Sequence, residues 1–197
     1  FKRSYSIAKL SFSVISKDKE MLFFPVMSSI FSLMFLIAMI FPTILTEIIE
    51  SGSFPGEVMN YVILFLVYLG LAFIATFFNV CVVYTAKKRF SGGNATFFES
   101  ISFAFSRIVN IFLWSLVSAT VGLLLRIIEN AGRNGGKGGQ IITSIITSLA
   151  GMAWAIITIF VVPAMVYKNV GPFKAIGMSF ETIKKTWGES LIRYYGL

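Results

Sequence analysis

The residues able to do acid–base or metal chemistry are scarce and poorly placed for it. Histidine is absent, which removes the commonest general base and the commonest metal ligand together. The one cysteine, Cys81, lies inside an apolar run. Alone it can form neither an internal disulfide nor a cysteine-based zinc site, so a small apolar filler is its expected role. Among the nine acidic residues, Glu47, Glu50 and Glu57 straddle a Gly/Pro stretch and are expected to be solvated. Glu129 follows Arg126 by three residues, the spacing of a surface ion pair of small worth. No catalytic residue, metal ligand or cofactor is expected, and the chain is not expected to be an enzyme.

Two further patterns invite chemistry. Gly132-Arg-Asn-Gly-Gly-Lys137-Gly-Gly139 has the look of a phosphate loop. A Walker A motif needs four residues before its Gly-Lys pair and a hydroxyl after the lysine. Here three intervene, Gly138 follows, and no strand precedes. A flexible hairpin loop is the simpler expectation. Polar residues inside apolar runs carry more weight, because hydrocarbon penalises them unless they find partners. Thr76 and Asn79, three apart, are the candidate intramembrane polar site, although an interhelical hydrogen bond is the simpler account of them. Ser144, Ser148, Gly151 and Ala155 recur at spacings of four, three and four. They form a candidate helix-packing stripe.

These residues are set in a chain of 197 residues that is 56% hydrophobic and only 13% charged, with mean hydropathy +0.82. Soluble domains carry about 25% charged residues, so lipid must replace water over much of the surface. Four stretches, about 21–45, 58–86, 108–125 and 141–167, have the roughly 20 residues that crossing a hydrocarbon core requires. Pro163 is expected to kink the fourth. The fold expected is all-α, a polytopic transmembrane helical bundle forming one domain over 1–197.

Charge gives the direction. Of the 17 basic residues, only Arg126, Arg133 and Lys137 fall in loops opposite the N-terminus. That asymmetry places the N-terminus in the cytoplasm of a multi-pass cell-membrane protein. The net charge of +8 then reads as topology and attraction to anionic headgroups. No aromatic-interleaved basic platform points to nucleic acid.

Three segments repeat one pattern: about 4–16, 97–108 and 172–193. Aromatic or aliphatic residues fall at offsets 0, 3, 7 and 10, as in Phe98, Ile101, Phe105, Ile108 and in Phe173, Ile176, Phe180, Ile183. This spacing marks one helix face. Amphipathic helices on the cytoplasmic membrane surface are expected, the last with Lys174, Lys184 and Lys185 among lipid headgroups. The segment 97–108 is equally readable as an extension of the span that follows. Repetition suggests duplication of a helix pair, a plan common in transport proteins.

Lys17-Asp-Lys-Glu20 with Leu22-Phe-Phe-Pro25, then Phe160-Val-Val-Pro163, Gly171-Pro172 and Thr186-Trp-Gly-Glu189, together resemble an uncharacterised family of archaeal and bacterial multi-pass membrane proteins, a domain of unknown function. The resemblance implies a chain that continues past residue 197 into further spans, and it brings no established activity. A looser likeness connects the chain to membrane domains fused to glycerophosphodiester phosphodiesterases, whose catalytic residues are missing here. Two function classes follow. The first is a non-catalytic component that organises lipid or serves in a homo-oligomer or larger membrane complex. The second is a small-solute transporter or channel. A polar cavity lined by Asn79 and the fourth-span hydroxyls would favour transport, and a dry bundle the organising role.

Overall fold

The computed structural model describes residues 19–49, 57–133 and 136–195, with side chains over 21–42, 58–132 and 136–186. The first amphipathic segment, about 4–16, and the acidic loop around Glu50 lie outside the described residues. Among the described residues seven helices follow in order: α1 (Lys19–Ile49), α2 (Glu57–Phe90), α3 (Phe97–Ser106), α4 (Ile108–Arg133), α5 (Gly136–Thr158), α6 (Val161–Lys168) and α7 (Pro172–Tyr195). No strand occurs among the described residues, and the all-α expectation holds. Four stretches are long and apolar enough to cross a membrane: Met21–Pro42, Val58–Phe90, Ile108–Gly132 and Gly136–Lys168.

Helix α2 is the central element, packing against α1, α3, α4 and α6; α4 in turn packs on α5 and α7. The core lies at one end of the bundle. Phe24, Phe78, Val80, Cys81, Ile111, Val161 and Met165 meet there, and Cys81 is fully enclosed, as a small filler should be. Basic residues Lys87, Lys88 and Arg89 mark that end of α2. Toward the other end packing thins, and α5 has no fully buried residue at all.

At the α4–α5 turn the spans differ from expectation in two places, each for a local reason. The third reaches Gly132 instead of stopping near 125, because Arg126 pairs with Glu129 at 2.9 Å along its own helix and need not end it. The glycine-rich stretch expected as a loop is mostly helical: α4 runs to Arg133 and α5 starts at Gly136. Its glycines allow close approach. A Cβ on Gly132 would overlap the Thr143 hydroxyl, and one on Gly139 would come within 3.0 Å of the Gly132 carbonyl oxygen.

The fourth span breaks at Ile159–Phe160, not at Pro163. Pro163 lies in the first turn of α6, where a missing N–H costs little. The break is bridged from outside. The Phe160 N–H donates to Ser179 Oγ (3.1 Å), and that hydroxyl donates to the Ile157 carbonyl. Ser179, on α7, is fully buried. Asn169 ends α6 in a left-handed conformation (φ 53°), and α7 turns back antiparallel to α6, so that Ser179 reaches the start of the helix whose end adjoins Pro172.

The repeat is visible in space, with a reversal of its faces. Phe98 and Phe105 on α3, and Phe173 and Phe180 on α7, are all exposed, while Ser100, Ala104, Ala175 and Ser179 are fully buried. The buried positions are the small ones at offsets 2 and 6. Arg107 breaks α3 from α4 as a separate helix. Its guanidinium donates to Asn169 Oδ1 and lies over the Phe103 ring, joining the two turns.

The close approach at the α4–α5 turn decides how glycines there respond to substitution. Gly132→Ala gains helix propensity but overpacks Thr143, so detergent-solubilised protein should lose about 1–3 kcal/mol of stability. Gly151→Ala meets only Leu125 Cδ1, at 3.8 Å, and should be neutral or mildly stabilising. Thermal unfolding of the two variants checks the order.

Candidate functional site

The α4–α5 hairpin brings Gly122, Leu125 and Arg126 of α4 to the same space as Ser144 and Ser148 of α5. This register assembles a cleft of about 270 Å³ at the end of the bundle away from the core. Tyr68 of α2, Gly122, Leu125, Arg126 and Glu129 of α4, and Ser144, Thr147 and Ser148 of α5 line it. The missing side chain at Gly122 lets the Tyr68 ring lie across α4, with a virtual Cβ 3.3 Å from Tyr68 Cδ2. Thr147 donates to its own helix, to the Thr143 carbonyl at 2.9 Å, a habit that satisfies a hydroxyl in apolar surroundings. The Arg126–Glu129 pair is partly open, its side chains 40% and 37% exposed.

Toward the core the cleft closes. The Trp114 and Trp154 rings stack 6.0 Å apart between α4 and α5, and Trp114 is buried. Beyond them lie Ile111, Val161 and Val162, all buried. Among the described residues the cleft ends there.

The residues singled out from sequence fall partly here. Ser144 and Ser148 line the cleft, Gly151 makes ordinary contact with Leu125, and Ala155 is exposed. The stripe is thus not a tight packing seam within this chain; the closest approach of α4 and α5 is at Gly132 and Thr143 instead. Thr76 is buried, whereas Asn79 is exposed, and neither lines a described cavity. Lys174, Lys184 and Lys185 are all exposed on α7. Sequence reading missed Tyr68, and it took Arg126 and Glu129 for a surface pair. The register of Gly122, Arg126 and Glu129 on one helix face was the available signal, but only the hairpin shows what faces them.

A second cavity, about 480 Å³, opens between α1, α2 and α3 and is lined by Met27, Phe31, Phe73, Phe77, Phe98, Phe105 and other apolar residues only. It has no group that could orient a polar ligand. No cluster of metal ligands occurs among the described residues.

Residues 58–197 match a family of unknown function (DUF6159). The chain belongs to that family. The match takes in α2 to α7, and so every residue of the cleft; the Lys17–Pro25 motif lies outside it. No curated protein and no solved structure matches the chain. The resemblance seen in the sequence is therefore confirmed at the level of a family without an assigned activity.

The opposite end of the bundle carries a polar clasp that fixes α3 against α2. Glu99 accepts from Lys88 and from the Tyr84 hydroxyl (2.9 Å). Thr85 Oγ1 and Ser100 Oγ lie 2.8 Å apart, and the Tyr84 and Phe103 rings stack at 4.2 Å. Thr96 caps α3 by accepting the Glu99 N–H. Lys87 donates to the Val166 carbonyl (3.2 Å). Two of the three basic residues here thus serve helix packing.

Hydrogen bonds from Lys88, then from Tyr84, hold the Glu99 carboxyl below the ordinary carboxylate range. A carboxyl with a depressed folded-state pKa stabilises above its unfolded pKa, about 4.3, and that stabilisation is lost as pH falls through the folded value. Glu99→Gln should therefore lower the melting temperature at pH 7, and the difference from the parent should start to shrink as pH falls below about 4.3 and vanish only once the folded-state carboxyl is itself protonated. Melting curves across pH 3–7 check this; a difference independent of pH would show that the charge is not what stabilises.

Proposed function

We propose that this integral membrane protein is a non-catalytic component of a larger membrane assembly, oriented with its basic end in the cytoplasm. The observation that carries the reading is the blind cleft. The cleft's polar lining lies on one side of the Trp114–Trp154 stack, and among the described residues an apolar core is packed on the other side. Such packing favours a non-conducting role.

Its outer faces support assembly. Ile141, Ile142, Ile145, Ile146, Leu149 and Met152 of α5 are all exposed, far more apolar surface than the bundle itself covers. In a membrane such faces meet lipid or the spans of another subunit. Exposed Lys174, Lys184 and Lys185 on α7, with Phe173 and Phe180 beside them, suit attraction to anionic headgroups at the cytoplasmic surface. Membrane lipids, further copies of the chain or other membrane proteins are the partners this implies.

The transport alternative draws on the hydroxyls of the fourth span that line the cleft. Solute flux separates the two. Purified protein in liposomes should show no flux of amino acids, sugars or inorganic ions above protein-free liposomes, and crosslinking in native membranes should give species larger than the monomer. Saturable flux abolished by Ser148→Leu would overturn the non-conducting reading.

A further inference from the structure

The cleft between α2, α4 and α5 brings both signs of charge to one wall and hydroxyls to the other. Arg126 and Glu129 lie one helical turn apart on α4, their Cβ atoms about 5–6 Å from each other as i,i+3 neighbours are. They bond to each other at 2.9 Å, yet neither is used up. A guanidinium has five N–H donors, and only one is spent on Glu129. The carboxylate keeps most of its lone pairs. The facing hydroxyls of Tyr68, Ser144 and Ser148 have no hydrogen-bond partner among the described residues and can donate or accept. Gly122 and Leu125 supply an apolar back.

The electrostatics select the ligand class. With one cation and one anion the cleft is formally neutral, so a simple anion gains Arg126 but meets Glu129, and a simple cation the reverse. A ligand carrying both charges a short distance apart gains at both ends. We propose that the cleft is a binding site for a small zwitterion, its anionic group on Arg126, its ammonium on Glu129, and its polar middle against the hydroxyls of α5. The same chemistry is offered by a free zwitterion in water and by the head of a zwitterionic phospholipid. At about 270 Å³ the cleft holds a headgroup or an amino-acid-sized molecule and nothing much larger. The site does not depend on whether the chain assembles with others, since all its residues come from one copy.

The test uses the full chain in nanodiscs of phosphatidylglycerol. Binding of free O-phosphoethanolamine and of sn-glycerol 3-phosphate is measured by calorimetry. Retention of added phosphatidylethanolamine is measured by native mass spectrometry. The parent protein should bind phosphoethanolamine, or retain phosphatidylethanolamine, in preference to the purely anionic probe; lipid retention without free binding assigns the headgroup as source. Glu129→Gln should weaken the zwitterion roughly tenfold, the loss of one hydrogen bond between charged groups, and turn the preference toward glycerol phosphate. Arg126→Gln should abolish anion binding altogether. Ser148→Ala, a mild change, should weaken the zwitterion without altering the order of preference. A helix-stabilising role for the ion pair would shift melting but not this charge selectivity. The proposal is overturned if the parent binds neither zwitterion, or if Glu129→Gln and Ser148→Ala leave the preference and the affinity unchanged.

Discussion

A peptide group left unpaired in hydrocarbon costs several kcal/mol, and the break at Ile159–Phe160 would leave such groups in a candidate span. The structure answers it with one side chain. Ser179 accepts from the Phe160 N–H and donates to the Ile157 carbonyl, so the freed backbone is satisfied by a hydroxyl from the next helix. This fixes much else. To reach the break, α7 must turn back antiparallel to α6. To come close enough, its facing positions must be small, and Ala175 and Ser179 are both fully buried. The equivalent face of α3, Ser100 and Ala104, docks on α2 in the same way, with Ser100 against the Thr85 hydroxyl. The same economy runs through the spans: Thr85, Ser115, Thr120, Thr147 and Thr158 each bond back to a carbonyl one turn earlier.

The result is a bundle with unlike ends. At the basic end the doubled helices α3 and α7 thicken the packing, and the core, the Glu99 clasp and the Arg107–Asn169 link gather there. At the other end the spans stand with less support, and the space between α2, α4 and α5 is left open and polar. Low burial along α5 belongs to the same asymmetry: a span that packs chiefly on α4, and on α7 only near its inner end, keeps most of its circumference for lipid or for another chain. The packed end and the polar cleft at the other are the two features on which the proposed assembly role draws.

The spans were legible because apolar runs of 20 or more residues need no periodicity to be recognised, and the repeat was legible from the Phe98/Phe105 and Phe173/Phe180 spacing. Its packing face was not. The amphipathic rule of soluble helices turns large apolar residues inward, but hydrocarbon accepts Phe98 and Phe173 outside and reserves the interface for small residues. Pro163 drew attention as a kink although a first-turn proline is harmless, and the true break is marked only by Ser179, nineteen residues on. The glycines between 132 and 139 had the composition of a loop while serving two closely packed helix ends. The cleft was the least legible feature, since Tyr68, Arg126 and Ser144 become neighbours only through the register of two helix contacts. Thr76 and Asn79, judged by polarity and spacing alone, proved to sit one inside and one outside.

A cleft that opens at the membrane face opposite the basic end should be reachable by water. Single cysteines at Ser148 and at Ser91, in a background with Cys81 replaced by alanine, allow it to be tested with a membrane-impermeant thiol reagent on sealed vesicles of either orientation. The account predicts that Ser148→Cys reacts from the outside of right-side-out vesicles and Ser91→Cys only from inverted ones. Labelling of both from one side, or a Ser148→Cys thiol that reacts from neither, would contradict it.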